Sequence, residues 1–214
     1  MAFLVKKTQD FNVLGDGSAP AWNSTEWLAL PRRNGPYAGY STGVKMLYSE
    51  TGIYLLFSCE DTKITASFRD DFSDLWHEDV VEVFFLPDER HPLYFEYQLS
   101  PLDRELVLLV PNLGGCFYGW RPWHYEGGRQ VRHAVSIRGG TGEPGSSIDQ
   151  WTAEIHIPFD LFRPLLNVPP VSGTRWRANF YRCDYDSGSM AYSSWMPVDE
   201  HFHEFRRFGE IQFE

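Results

Sequence analysis

Apolar and polar positions along this chain alternate with a period of two, and nowhere hold a period near 3.6 for long, which is the mark of strands rather than helices. In the stretch 94–99, Phe95, Tyr97 and Leu99 fall on one side and Tyr94, Glu96 and Gln98 on the other. In 151–157, Trp151, Ala153, Ile155 and Ile157 point inward, and Pro158 ends the run. In 176–182, Trp176, Ala178 and Phe180 face the core while Arg177, Asn179 and Tyr181 face out. Stretches 44–48 and 53–57 flank Ser49-Glu50-Thr51-Gly52 and read as a β-hairpin, the second strand being apolar on both faces. Further strands are expected over 80–86, 105–110, 131–137 and 210–213, with at most a short helical turn over 159–166. About nine or ten short strands with Gly/Pro turns predict an all-β fold, an antiparallel β-sandwich of jelly-roll type, in a single domain over 1–214. The first ~40 residues read as an irregular wrap, punctuated by Gly15-Asp16-Gly17, Pro20, Pro31 and Asn34-Gly35-Pro36 and anchored by Trp22 and Trp27.

Composition narrows the function classes. A 214-residue chain that is 43% hydrophobic and 22% charged can bury a substantial core without disulfides or a structural metal. A net charge of −10 argues against nucleic acid and anionic membrane surfaces, both of which require a basic footprint. Cys59, Cys116 and Cys183 have no ligand-like spacing and read as small hydrophobes, with one disulfide left open. The apolar runs are strand-sized, so no membrane span is expected. The N-terminus lacks the order of a secretory signal, so the chain reads as cytoplasmic as written, or secreted if a leader has been removed.

The 16% aromatic content exceeds what strand cores need, and two tryptophans fall in loops. Trp76 precedes the strand at 80–86, and Trp195 sits in Ser193-Ser194-Trp195-Met196-Pro197. A flat indole outside any apolar period suits another flat apolar face, such as a sugar ring. Carboxylates and amides nearby would supply the polar selectors of a small binding site. Glu82 follows Trp76, and Glu96 and Gln98 lie on the polar side of the next strand, with Asn179 on another. The alternative for these acids is glycoside hydrolysis by Glu78 or Glu82 with Glu96. A second alternative is a haem or other flat cofactor between the tryptophans, with Met196 and His77 as axial ligands. Asp61, Asp70 and Asp71 offer hard oxygens for a possible structural calcium, although no cofactor is required.

Several ordered pieces resemble carbohydrate-binding module family 9, a β-sandwich group often attached to xylanases. They are Gly52-Ile53-Tyr54-Leu55-Leu56-Phe57 with Glu60-Asp61, Leu75-Trp76-His77-Glu78-Asp79-Val80-Val81-Glu82, Trp151-Thr152-Ala153-Glu154-Ile155-His156-Ile157-Pro158-Phe159, and Gly173-Thr174-Arg175-Trp176-Arg177-Ala178-Asn179-Phe180-Tyr181-Arg182. The resemblance implies a sugar clamped between two tryptophans, matched here by Trp76 and Trp195, with Glu82 as the carboxylate reading hydroxyls. Arg182 matches a recurrent arginine, which strict alternation points inward. The implied ligand is a glycan such as xylan, and the implied partner is a separately encoded glycoside hydrolase.

Overall fold

The computed structural model describes residues 2–34 and 40–214; Gly35 and Pro36 of the expected turn lie outside them. The chain opens with β1 (Phe3–Lys7), β2 (Leu28–Ala29), β3 (Thr42–Tyr48), β4 (Gly52–Glu60) and β5 (Val80–Leu86). It continues with β6 (Leu93–Leu99), β7 (Glu105–Leu113), β8 (Cys116–Phe117), β9 (Arg121–Pro122) and β10 (Arg132–Arg138). The last strands are β11 (Gln150–Pro158), β12 (Arg175–Asp184), β13 (Ala191–Ser194) and β14 (Gly209–Phe213). Each alternating run of the sequence has become a strand, and the turn after Pro158 is a single 3-10 turn, Phe159–Phe162.

One layer has the order β10-β11-β4-β3, with β2 on the edge of β3 away from β4. The other runs β14-β12-β5-β6-β7, with β13 beside β12 and the short β8 and β9 on β7. Neighbours within each layer are antiparallel. β1 pairs in parallel with both β3 and β14 and so links the two layers. The wrap is therefore not irregular throughout. Phe3 and Val5 supply a short alternation, Val5 is fully buried, and the edges of β3 and β14 supply hydrogen-bonding partners that the local sequence does not reveal.

Leu55, Phe57, Ala153 and Ile155 from the first layer and Val83, Phe85, Phe95 and Phe180 from the second belong to one inter-layer core. The outer face of the second layer is also covered. Phe84, Tyr94, Leu108, Tyr181 and Cys183 are buried there under Leu75 and Phe208, with Trp76, Trp120 and Phe202 packed against them. Burial on both faces explains why β5 is apolar throughout, save Glu82. The three cysteines are free, Cys59 and Cys183 buried and Cys116 exposed. Among the described residues, no helix is long and apolar enough to cross a membrane.

Candidate functional site

Strand register assembles a polar patch in the middle of this second, covered face. Glu82 on β5 stands opposite Gln98 on β6 and Tyr181 on β12, and Phe84 stands opposite Glu96 and Asn179. Same-face neighbours on adjacent strands lie within side-chain reach, so Glu82, Glu96 and Gln98 form one group. All three line a cavity of about 410 Å³. Its walls include Trp76, Trp120, Tyr185, Tyr192 and Phe202. The Trp76 and Trp120 rings meet edge to face at 4.9 Å. Phe202 stacks on Tyr181 at 4.2 Å, and Tyr192 leans on Phe202.

Burial dominates the electrostatics of the floor. It pushes the Glu96 carboxyl up to about 8, with a hydrogen bond from Gln98 pulling the other way. Glu82 is pushed well above the usual carboxylate range, first by burial and then by Glu96. Among the described residues, the polar contact of Glu82 is the Cys183 thiol at 3.9 Å. Gln98 donates from Nε2 to Glu96 Oε1 at 2.7 Å, leaving Glu96 Oε2 and Gln98 Oε1 buried without partners. His203 stacks on Phe117 at 4.0 Å and shares a 2.5 Å hydrogen bond with the Tyr94 hydroxyl. Its Nδ1 is 3.9 Å from Glu96 Oε2, yet burial and His201 hold the imidazole down at about 4. At neutral pH it is therefore uncharged and offers Glu96 no cation.

The structure does not bring Trp195 to this site. Its partly buried indole packs against the inter-layer core, where it stacks on Phe180 at 5.7 Å and meets Phe3 edge to face at 6.3 Å. It fills the space over Gly209, where a Cβ would come within 2.4 Å of the ring. Trp76 lies against the outer cluster instead, so the two indoles occupy different packing environments. The expected clamp of two facing indoles therefore finds no support in this placement. The backbone N–H of Trp195 donates to the Phe180 carbonyl, which directs the residue onto the inner side of β12.

Asn179 is buried and fully occupied: its amide donates to the Tyr181 hydroxyl and the Met196 carbonyl, and accepts from the Met196 N–H. It pins the segment after Trp195 and does not line the cavity. Arg182 points inward, as its parity requires. It donates to Asp61 at 2.8 Å, the Glu60 carbonyl at 2.5 Å and Thr42 at 3.3 Å, tying β12 to the opposite layer. Both side chains are thus engaged within the fold. Glu78 is also used structurally, accepting from Ser67 and from the Phe68 N–H. His77 reaches the cavity wall but Met196 does not, so the expected axial pair is not assembled.

The aspartates regroup as well. Asp70 and Asp71 are exposed, and Asp71 accepts from the Glu105 N–H. Asp61 instead gathers with Asp79 and Asp186, their ligand atoms all within 4.8 Å of one another. Asp61 already accepts from Thr62, Trp151 and Arg182, and Asp79 from Thr65 and Tyr185. Sequence reasoning misses Asp79 and Asp186 because they come together only when β12 ends beside β5. It misses Trp120, Tyr192 and Phe202 for the same reason, although the aromatic-rich loop at 114–128 is a visible signal.

A family model described as Carbohydrate-binding family 9 matches residues 22–213. Among curated proteins, the UPF0462 protein C4orf33 homolog of Mus musculus is 28% identical over 130 residues, covering 61% of this chain and 54% of that protein. An extracellular protein of Arthroderma benhamiae is 25% identical over 148 residues, covering 66% of this chain and 62% of its own length. The matches thus span a little over half of these curated relatives. Among solved structures, a candidate carbohydrate-binding protein from Bacteroides uniformis superposes with a TM-score of 0.80 at 21% identity, covering 100% of this chain and 99% of that one. A family 9 carbohydrate-binding module from Caldicellulosiruptor kristjanssonii in complex with cellotriose gives 0.66 at 15% identity, with 100% and 94% coverage. A glucose complex from the same organism gives 0.64 at 16%, with 99% and 95% coverage. At these identities the structural likeness is one of fold.

Proposed function

The chain belongs to carbohydrate-binding family 9, and from that premise we propose that it holds a sugar in the cavity over Glu82, Glu96 and Gln98 without transforming it. The observation that carries this reading is the pairing of an indole wall, Trp76 against Trp120, with a buried polar floor. A sugar ring has apolar C–H faces and a polar hydroxyl rim. The wall buries a face while the floor exchanges hydrogen bonds with the rim. Trp76, Glu82, Glu96 and Gln98 are the contacts in this reading, and no cofactor is needed. Glucose and cellotriose, bound by the Caldicellulosiruptor neighbours, are the first probes, followed by xylan. Calorimetric titration is expected to give saturable binding that Trp76→Ala weakens by about tenfold or more. Absence of binding across glucose, cellotriose, xylan and an amino-sugar panel overturns the reading.

The second reading, glycoside hydrolysis, keeps one supporting observation, since Glu82 and Glu96 share the cavity. Release of reducing sugar that disappears in folded Glu82→Gln would establish it in place of simple binding. A separately encoded glycoside hydrolase is the natural partner for a chain that only binds. A calcium ion, if carried, belongs at Asp61, Asp79 and Asp186 rather than Asp70 and Asp71. Melting with added calcium and with chelator reads its presence.

A further inference from the structure

We propose that the sugar held in this cavity carries a free amine, and that its ammonium is received between Glu82 and Glu96; the inference rests on the carbohydrate-binding reading above. Three observations converge on it. The first is charge. Among the described residues lining the cavity there are three carboxyl side chains, Glu82, Glu96 and Glu200, and no lysine or arginine. The nearest imidazole to Glu96, His203, is neutral at physiological pH because burial and His201 hold it down at about 4. Two buried carboxyls without a cation are hard to ionise, and a ligand can bring the missing charge.

The second is hydrogen-bond capacity. Glu96 Oε2 and Gln98 Oε1 are buried acceptors with no donor, and Glu82 has only a distant thiol. Once the pair is ionised its oxygens only accept, which suits a group that only donates, and an ammonium supplies three N–H donors and no acceptor. A hydroxyl supplies one. The third is the wall. Trp76, Trp120, Tyr185, Tyr192 and Phe202 line the cavity, and aromatic faces attract a desolvated cation. The other titratable neighbours of the pair do not compete for this role. β6 adds Tyr94, and β12 adds Tyr181 and Cys183, all held neutral by burial. Tyr185 from the loop after β12 is likewise pushed up to about 12 by burial, and His77, His201 and Glu200 line the cavity from loops.

Burial raises both carboxyls, so an ammonium, which favours the ionised form, draws a proton off the pair as it binds. The experiment is calorimetric titration of the full chain at pH 6.5 with glucosamine, glucose, N-acetylglucosamine and ethanolamine, each in two buffers of different ionisation enthalpy. Glucosamine is expected to bind at least tenfold tighter than glucose or N-acetylglucosamine, with proton release that glucose does not produce. Glu96→Gln, checked for an unchanged circular dichroism spectrum, is expected to erase both the preference and the release. Should that variant not fold, Glu82→Gln and the wild-type ligand ranking carry the test. Glucose binding as tightly as glucosamine overturns the amine inference while leaving the carbohydrate reading intact. Ethanolamine binding as tightly as glucosamine overturns the sugar reading instead, because the ring then contributes nothing. No binding of any of the four overturns the amino-sugar assignment.

Discussion

Two clusters of buried ionisable groups lie on opposite faces of the second layer, and they are built on opposite principles. On the inner face, Arg182 is fully enclosed with Asp61, donates to it and to the opposite layer, and leaves that aspartate cluster with a cation of its own. On the outer face, Glu82 and Glu96 are equally enclosed, but no lysine or arginine lines their cavity among the described residues. A buried charge with its counter-ion built into the chain is a structural fixture, since removing either member strands the other. Buried acids with no counter-ion and unfilled acceptors mark a place prepared for something else. The two loop tryptophans divide the same way: Trp195 packs on the inner face, and Trp76 borders the open cavity on the outer one.

The largest effect that would test this contrast is on Arg182. Arg182→Met is expected to lower stability by about 3–5 kcal/mol, because Asp61 is left buried and unpaired. Adding Asp61→Leu should restore part of it. Urea denaturation checks both, and an unchanged midpoint in Arg182→Met would erase the distinction between the clusters. The tryptophans come next. Trp195→Ala is expected to lower stability by about 3 kcal/mol through the cavity left over Phe180 and Gly209. Trp76→Ala is expected to keep the fold and weaken sugar binding about tenfold. If the binding loss followed Trp195 instead, the assignment of the two faces would be reversed.

The pH dependence separates Asp61, which has a cation beside it, from Glu96, which has none. Burial raises Asp61 to about 6 against Arg182's opposing pull, and raises Glu96 to about 8. A carboxyl with a raised folded pKa contributes stability that is complete below its unfolded value and lost as pH rises through the folded one. Asp61's share is therefore lost by about pH 6, whereas the Glu96 share keeps falling to about pH 8. Unfolding midpoints of the ligand-free protein are expected to decline between pH 6 and pH 8, and Glu96→Gln to make that decline shallower, Glu82 and Asp79, also raised by burial, keeping their shares. Asp61→Asn should leave the slope there unchanged. The smallest effect belongs to Asp71, which is exposed and belongs to neither cluster. Asp71→Asn is expected to change stability by less than about 0.5 kcal/mol in the same urea assay.

Much of the fold is legible in the chain itself. Strict alternation at 151–157 and 176–182 locates β11 and β12, because side-chain parity is local to a strand and needs no knowledge of its neighbours. The same parity places Arg182 inward and puts Glu96 and Gln98 on one face together. β1 is not legible, since five residues become a strand only where two other edges are waiting for them.

The site divides along that line too. Sequence alone determined which side chains share a face of β6 and β12, and that Trp76 lies outside the strand pattern. Only the tertiary structure decided that the polar face would be roofed rather than wetted, that Trp120 and not Trp195 would join Trp76, and that Asp79 and Asp186 would replace Asp70 and Asp71 beside Asp61. The physical reason is reach. Parity and turn chemistry act over a few residues, whereas the burial of Glu82 and Glu96 depends on loops joined to them only through space.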